Sequence, residues 1–388
     1  MNADLIKALR FVLGLFLTFG SLLLHASESF SPEPNTRFSL GDKTATITKV
    51  SILPYVESEY TRLFKFDSAN NPKLHELRDR YHLRELISTA TNEFDQQIVL
   101  MDWVHNRFKK FGQPTKQTHG ALDILSGIDS GETFFCTQYA QLMASAAASL
   151  GWVDRVLALR RHQDSRPGSS EHSTTEIWSN QHRKWIMLDP TSNMYLEANN
   201  VPLNAYEIRH EWFYTNRTNL TFVIGKDKKR YRKSDLPIFL KKFPGFGDLT
   251  IDPHELDKYG FIGYIPNSDL MDSGFDYGQM FITKDQLCDG TQWHKRKLPA
   301  NPATDPYFPI NQAALMLGVE GDGFRLEAQT LTPNFKQFEF SIDHGAWQPT
   351  PHSFTWKPHP GSNRLQVRSV NQFNVAGPAT EVELALAQ

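Results

Sequence analysis

A cysteine does covalent chemistry as its thiolate, so the residues of first interest are those that could hold Cys136 in that form. Cys136 follows the turn-forming run Ser130-Gly131-Glu132-Thr133 and opens a segment rich in alanine. In that segment Tyr139, Met143, Ala146, Ala147 and Leu150 fall on one face at helical spacing. The spacing predicts a helix from 136 to 150, with Gly151 placed to cap its end. Cys136 then sits at the first turn, where free backbone N–H groups and the helix dipole favour negative charge.

A thiolate nucleophile needs a base, and the base needs an orienting partner. The segments 174–179 and 185–188 read as strands joined by a turn at 180–183. Pairing symmetrical about residues 181 and 182 sets Thr174 opposite Asp189. His172 shares the face of Thr174 because side chains alternate along a strand. Asp189 then stands on the same face and at the same end as His172. One imidazole nitrogen can meet the carboxylate while the other faces Cys136. A slip of one residue would move Asp189 to the other face.

Rival readings accompany each residue. Cys136 could be a buried structural thiol or pair with Cys288, the second of the two cysteines. His162 and His182 are alternative bases, although His182 falls in the predicted turn. Asp189 could serve only to cap the turn before Pro190. For the oxyanion of a tetrahedral intermediate, the backbone N–H of Cys136 is the natural donor, and Trp103 and Gln113 are the side-chain candidates.

Three runs carry a family resemblance. Gly131-Glu132-Thr133-Phe134-Phe135-Cys136-Thr137-Gln138-Tyr139-Ala140, followed by Leu150-Gly151 and Arg155, resembles the nucleophile helix and next strand of the transglutaminase-like superfamily. His172-Ser173-Thr174-Thr175-Glu176-Ile177-Trp178 resembles its histidine strand, and Trp185-Ile186-Met187-Leu188-Asp189-Pro190-Thr191 its aspartate strand. The runs occur in the family's order, with 36 residues from Cys136 to His172 and 17 from His172 to Asp189. The likeness covers roughly residues 85–200. It implies an α+β, papain-like core that attacks amides with sulfur, passes through a thioester, and releases the acyl group to water or an amine. It also implies no cofactor. The superfamily contains cross-linkers, peptidases, deglycosylating amidases and inactive members, so the resemblance speaks to mechanism before substrate.

Other elements must position these residues. Phe94, Ile98, Met101, Val104 and Phe108 mark a helix capped by Thr91 or Asn92 and ended by Gly112 and Pro114. Trp103 lies beside that stripe and reads as core. Residues 155–159 read as a further strand, and 162–171 as a polar loop.

Across the chain of 388 residues the expected order is a signal peptide at 1–26, an N-terminal extension at 27–80 with a strand at 44–53, and the catalytic domain at 81–235. An irregular connecting region at 236–310 follows, then a small all-β sandwich at 311–388. Four prolines within 298–309 suggest a linker. Lys7 and Arg10, the apolar run 11–24 and the small Ala26 and Ser27 carry the export reading; an uncleaved anchor is its rival and the one expected membrane contact. The protein is therefore expected to be secreted, periplasmic or otherwise extracytoplasmic. Residues 341–378 resemble bacterial immunoglobulin-like modules that accompany secreted enzymes. Trp347 and Trp356 there read as core or interface, with stacking on a sugar as the alternative.

A net charge of -2 does not suit a nucleic-acid binder, and the local basic run 226–233 reads as a solvated hairpin. The 14 histidines show no zinc spacing, so no metal site is expected. The expected partner is a protein or peptide substrate, with a cell-envelope polymer as a further class. The functional expectation is an exported thiol amidase, peptidase or acyl transferase. The alternative is a non-catalytic envelope or extracellular binding protein.

Overall fold

Two antiparallel strands, β1 (Arg37–Leu40) and β2 (Lys43–Ser51), begin the regular structure. The computed structural model describes residues 29–161, 171–215, 219–252, 254–274, 279–283, 296–300 and 304–388. The expected signal peptide, His162 and Cys288 lie outside these residues. No helix among the described residues is long and apolar enough to cross a membrane.

Helix α1 (Glu93–Arg107) follows a set of short helices. Asn92 caps it, its side chain accepting the Asp95 N–H, a contact whose loss costs about 1 kcal/mol in typical helices. Its apolar stripe buries Phe94, Ile98, Met101 and Val104. Helix α2 (Cys136–Ser149) packs against α1, and its alanines let the two approach closely. Gly151 ends it at a φ of 84°, and a Cβ there would lie 2.5 Å from Phe373, so glycine serves both the turn and the close approach.

Strands β3 (Asp154–Arg160), β4 (Glu171–Ser179) and β5 (Lys184–Leu188) form an antiparallel set behind α2. Ile177, Ile186 and Leu188 pack on the helix side; Leu157, Leu159, Trp185 and Met187 pack on the other. That second face is covered by β6 (Met194–Ala198), α3 (Ala205–Tyr214) and β7 (Leu220–Ile224). A hairpin of β8 (Ile238–Phe243) and β9 (Gly247–Ile251) comes next. Strands β10 (Phe261–Tyr264), β11 (Gln279–Thr283) and β12 (Arg296–Ala300) then extend the central sheet in the order β12-β11-β10-β3-β4-β5.

Toward the C-terminus follow β13 (Ala314–Glu320), β14 (Gly323–Gln329), β15 (Phe335–Ile342), β16 (Gln348–Thr350), β17 (Ser353–Trp356), β18 (Gly361–Asn371) and β19 (Thr380–Leu386). They build a three-stranded sheet, β13-β14-β17, and a six-stranded sheet, β1-β2-β19-β18-β15-β16. One apolar cluster joins both sheets through residues such as Ile47, Leu326, Trp356, Val367 and Leu384. The fold is thus mixed α and β with several sheets.

Three boundaries drawn from composition differ from the sheets. The N-terminal extension does not merely pack on the next domain: Ala45 pairs with Leu386 and Val50 with Val382, so it completes the C-terminal sheet. The connecting region is not irregular throughout, because Gly263 pairs with Ala158 in the central sheet. The proline-rich segment is not a free linker. Pro306, Phe308 and Ile310 are buried, since proline forbids helix but not packing, and the apolar neighbours drive burial.

A buried ion pair ties these parts together. Arg155 and Glu176, Cα partners across β3 and β4, are fully buried and meet at 2.6 Å. Tyr60, Trp185, Tyr264 and Tyr307 surround the guanidinium, with Trp185 nearest at 4.0 Å from its ring centre. The Pro306 carbonyl accepts from the same guanidinium. Glu176 also accepts from the Ala205 N–H at 2.6 Å and the Tyr307 hydroxyl at 3.0 Å. Pairing and hydrogen bonds on both partners offset the cost of taking the two side chains out of water.

Candidate active site

Cys136 is the first residue of α2, after Phe135 in extended backbone. The Gln138 side-chain oxygen accepts the Phe135 N–H at 3.2 Å, half of a capping box. The Gln138 N–H in turn donates to the Phe135 carbonyl at 3.0 Å. The Cys136 Sγ accepts the Ser173 N–H at 3.4 Å, and Thr137 and Ser173 hydroxyls stand 3.3 Å apart. These contacts fix the helix end to the start of β4.

The hairpin has the expected register. Thr175 pairs with Leu188 and Ser179 with Lys184, which centres the turn between 181 and 182. Asp189 leaves the strand at the end where His172 stands. His172 Nε2 and Asp189 Oδ2 lie 3.0 Å apart, and both residues are buried. Nε2 thus donates to the carboxylate, and His172 and Cys136 line one cavity, close enough that each shifts the pKa of the other. Asp189 also caps its turn: Oδ1 accepts from the amides of Thr191 at 2.9 Å and Ser192 at 3.3 Å. One carboxylate therefore both caps the turn and binds His172.

The electrostatics favour a charge-separated pair. Burial works to raise the Cys136 thiol pKa. The hydrogen bond and charge of His172, the Ser173 amide and the charge of Lys258 outweigh it and leave the thiol below its ordinary value. Burial works to lower His172, but Asp189 and the thiol carry it from 6.5 up to about 10. Asp189 is pushed up by burial and pulled down further by His172 and Ser192, ending below the usual carboxylate range. Both directions favour a thiolate beside an imidazolium over the neutral pair.

Two residues that sequence reasoning missed hold this geometry. His105 on α1 is buried, and its Nδ1 donates to the carbonyls of Pro190 at 3.2 Å and Thr191 at 3.0 Å, fixing the Asp189 turn. Its position, four residues after Met101 on the same stripe, was the available signal. Glu93, at the start of α1, accepts from the Gln181 N–H at 2.7 Å and the Ser179 hydroxyl at 3.3 Å. The Gln181 side chain accepts the Phe94 N–H at 3.1 Å in return. The helix thus pins the turn that sets the register.

The other candidates have different places. Trp103 stands beside Tyr81 and Arg107, in the helical core rather than at the thiol. This removes it as an oxyanion donor. Gln113 lines a polar groove of about 380 Å³ with Thr115, Thr137, Gln138 and Gln141. Thr137 belongs also to a larger cavity of about 790 Å³ that holds Cys136 and His172. His182 lies in the turn against the Phe94 ring and is no base for this thiol. Among the described residues no three or more of His, Cys, Asp and Glu gather as a metal-binding group.

No family model matches the sequence, and no curated protein matches it. Among solved structures, a candidate cysteine protease from Cytophaga hutchinsonii is similar over 38% of this chain, at 16% identity and a TM-score of 0.26. The match takes in 49% of that protein, about half its length. Red sea bream transglutaminase is similar over 76% of this chain and 68% of its own, at 11% identity and a TM-score of 0.23. Likenesses this faint leave the chemistry to be argued from the site itself.

Outside the cleft, Trp356 is buried in the sandwich core, and Arg368 stacks on Trp347 at 4.1 Å. In the basic run, Lys226 pairs with Asp227, Lys228 with Asp95 and Arg230 with Glu197.

Proposed function

We propose that the chain is an exported, thiol-dependent amidase, peptidase or acyl transferase with a transglutaminase-like, papain-like α+β core and an immunoglobulin-like sandwich. The observation that carries this reading is His172 held between the Cys136 thiol and the Asp189 carboxylate. Motif, helix position and lowered thiol pKa point the same way.

The thiolate attacks the amide carbonyl carbon, forming the C–S bond and a tetrahedral oxyanion. The Cys136 backbone N–H at the helix start is the first oxyanion donor, and Gln113 on the adjoining groove is the better placed of the two side-chain candidates. His172, as imidazolium, gives its proton to the leaving nitrogen as the C–N bond breaks. A thioester remains on Cys136. Water or an amine then attacks it, His172 accepts the attacking group's proton, and the thiolate departs. The product is an acid or a new amide. Asp189 keeps Nε2 engaged, so Nδ1 is the nitrogen that exchanges protons. Hydrolysis is the favoured outcome because water is always present as the second acceptor.

The test is the rate of Cys136 labelling by iodoacetamide against pH, read by mass spectrometry beside His172→Ala. Fast labelling below the ordinary thiol value of about 8.5, slowed in the variant, supports the reading. Labelling as slow as a free thiol in both proteins refutes it and favours a non-catalytic binding protein. Export is tested by locating the native protein outside the cytoplasm and sequencing its N-terminus; a cytoplasmic chain that keeps residues 1–26 refutes it.

A further inference from the structure

The cavity around Cys136 carries its rim charges in opposite pairs. Arg160 and Glu171 are Cα partners across β3 and β4, and Glu255 and Lys258 form an ion pair on the short helix before β10. Each negative group there has a positive neighbour, so these groups offer little net attraction to a charged substrate.

The selective surface is the apolar wall. Phe135 precedes the nucleophile, and the Phe111 ring meets it edge-on with centroids 5.5 Å apart. Phe246, at the tip of the β8–β9 hairpin, lies 4.7 Å from Phe111, and Leu249 on the same hairpin lines the cavity. Phe246 is 53% exposed. A ring held in water beside a nucleophile gains free energy when an apolar group covers it. On the far side of the helix start the wall gives way to the polar groove of Gln113, Thr115, Gln138 and Gln141. A polar groove suits a main chain that continues past the reacting bond better than a straight hydrocarbon chain, which would only desolvate its hydroxyls and amides.

We propose that Phe111, Phe135, Phe246 and Leu249 form a specificity subsite for an aromatic or large branched side chain of a peptide substrate, next to the bond presented to Cys136. This inference rests on the acyl-transfer reading and deepens it.

Four alkylating probes test it on the full chain: iodoacetyl-phenylalanine amide, iodoacetyl-glycine amide, iodoacetyl-aspartate amide and N-octyl iodoacetamide. Each rate at Cys136 is divided by the probe's rate with glutathione. The phenylalanine probe is expected to exceed the glycine probe by about tenfold, within the usual range for an apolar pocket. Phe246→Ala lowers that ratio, and Phe246→Leu restores part of it. Phe239→Ala, an exposed ring on the same hairpin that does not line the cavity, keeps the parent ratio. Equal phenylalanine and glycine rates, or a faster aspartate or octyl probe, overturn the subsite. Plain iodoacetamide, scaled the same way, reports thiol activation separately, so the subsite and the acyl-transfer reading can each fall alone.

Discussion

The Asp189 carboxylate meets His172 with one oxygen while its other oxygen holds the amides of Thr191 and Ser192. The carboxylate cannot rotate toward the thiol without breaking its own turn. Asp189→Asn with its oxygen kept in the cap presents an NH2 donor to His172 in place of a charged acceptor. Thiol labelling near neutral pH should slow by at least tenfold, and amide turnover by about 10²-fold or more, the scale of general acid–base catalysis. Parallel labelling and turnover assays check this.

Turnover should follow a bell in pH. The acid limb reflects the lowered Cys136 thiol. The alkaline limb reflects loss of the His172 proton near its pKa of about 10, because neutral imidazole cannot protonate the leaving nitrogen. Labelling, which needs only the thiolate, should persist through that alkaline limb. Following both rates on one sample separates the limbs.

Stability is linked to the same groups. The His172 pKa is raised on folding, so its contribution is complete below 6.5 and lost as pH rises through about 10. The Asp189 pKa is lowered, so its contribution is present above the ordinary 3.8 and lost as pH falls through the depressed value. The melting temperature of the protein should therefore exceed that of His172→Gln most just below pH 6.5, and the gap should narrow steadily as pH rises from there to about 10. Thermal melts of both proteins across that span supply the measurement.

His105 is a positioning residue. His105→Ala removes the donor to Pro190 and Thr191 and should cost about 1–3 kcal/mol of stability. It should also displace the pH profile of Cys136 labelling, because Asp189 then holds His172 less well. His105→Gln, which keeps a donor, should restore part of the profile. A stability loss with an unmoved profile would make His105 merely structural.

Removing one partner of the Arg155–Glu176 pair strands a buried charge. Arg155→Met should cost about 3–5 kcal/mol, and adding Glu176→Leu should return a large part of it. Denaturant titrations of the two single variants and the double variant give the coupling.

The register of the hairpin was legible because its spacing is local. Four residues of turn fix the centre of the hairpin, and that centre carries Asp189 to the end where His172 stands. Helix α2 was legible from its apolar face. What stayed hidden depends on partners distant in sequence. Nothing in residues 43–51 tells β2 that its neighbour is β19 rather than a strand of the next domain. Prolines obscured the strap at 304–310, since its burial is decided by Arg155 and the surrounding rings. His105 was marked only by its place on the helical stripe, and its partners, like the Gln181 amide held by Glu93, are backbone groups that only the fold brings near.

The strap also sets an order of assembly. Arg155 waits for the Pro306 carbonyl, 151 residues later in the chain. At ribosomal rates of about 5–20 residues per second, that interval lasts about 8–30 s. The cavity waits as well, since Phe246, Lys258 and Phe261 all follow the hairpin. Cys136 and His172 thus emerge long before the surroundings that shape their cavity. A nascent chain would carry the thiol with the groups that shift it, His172 and Ser173, before it has the walls that enclose them.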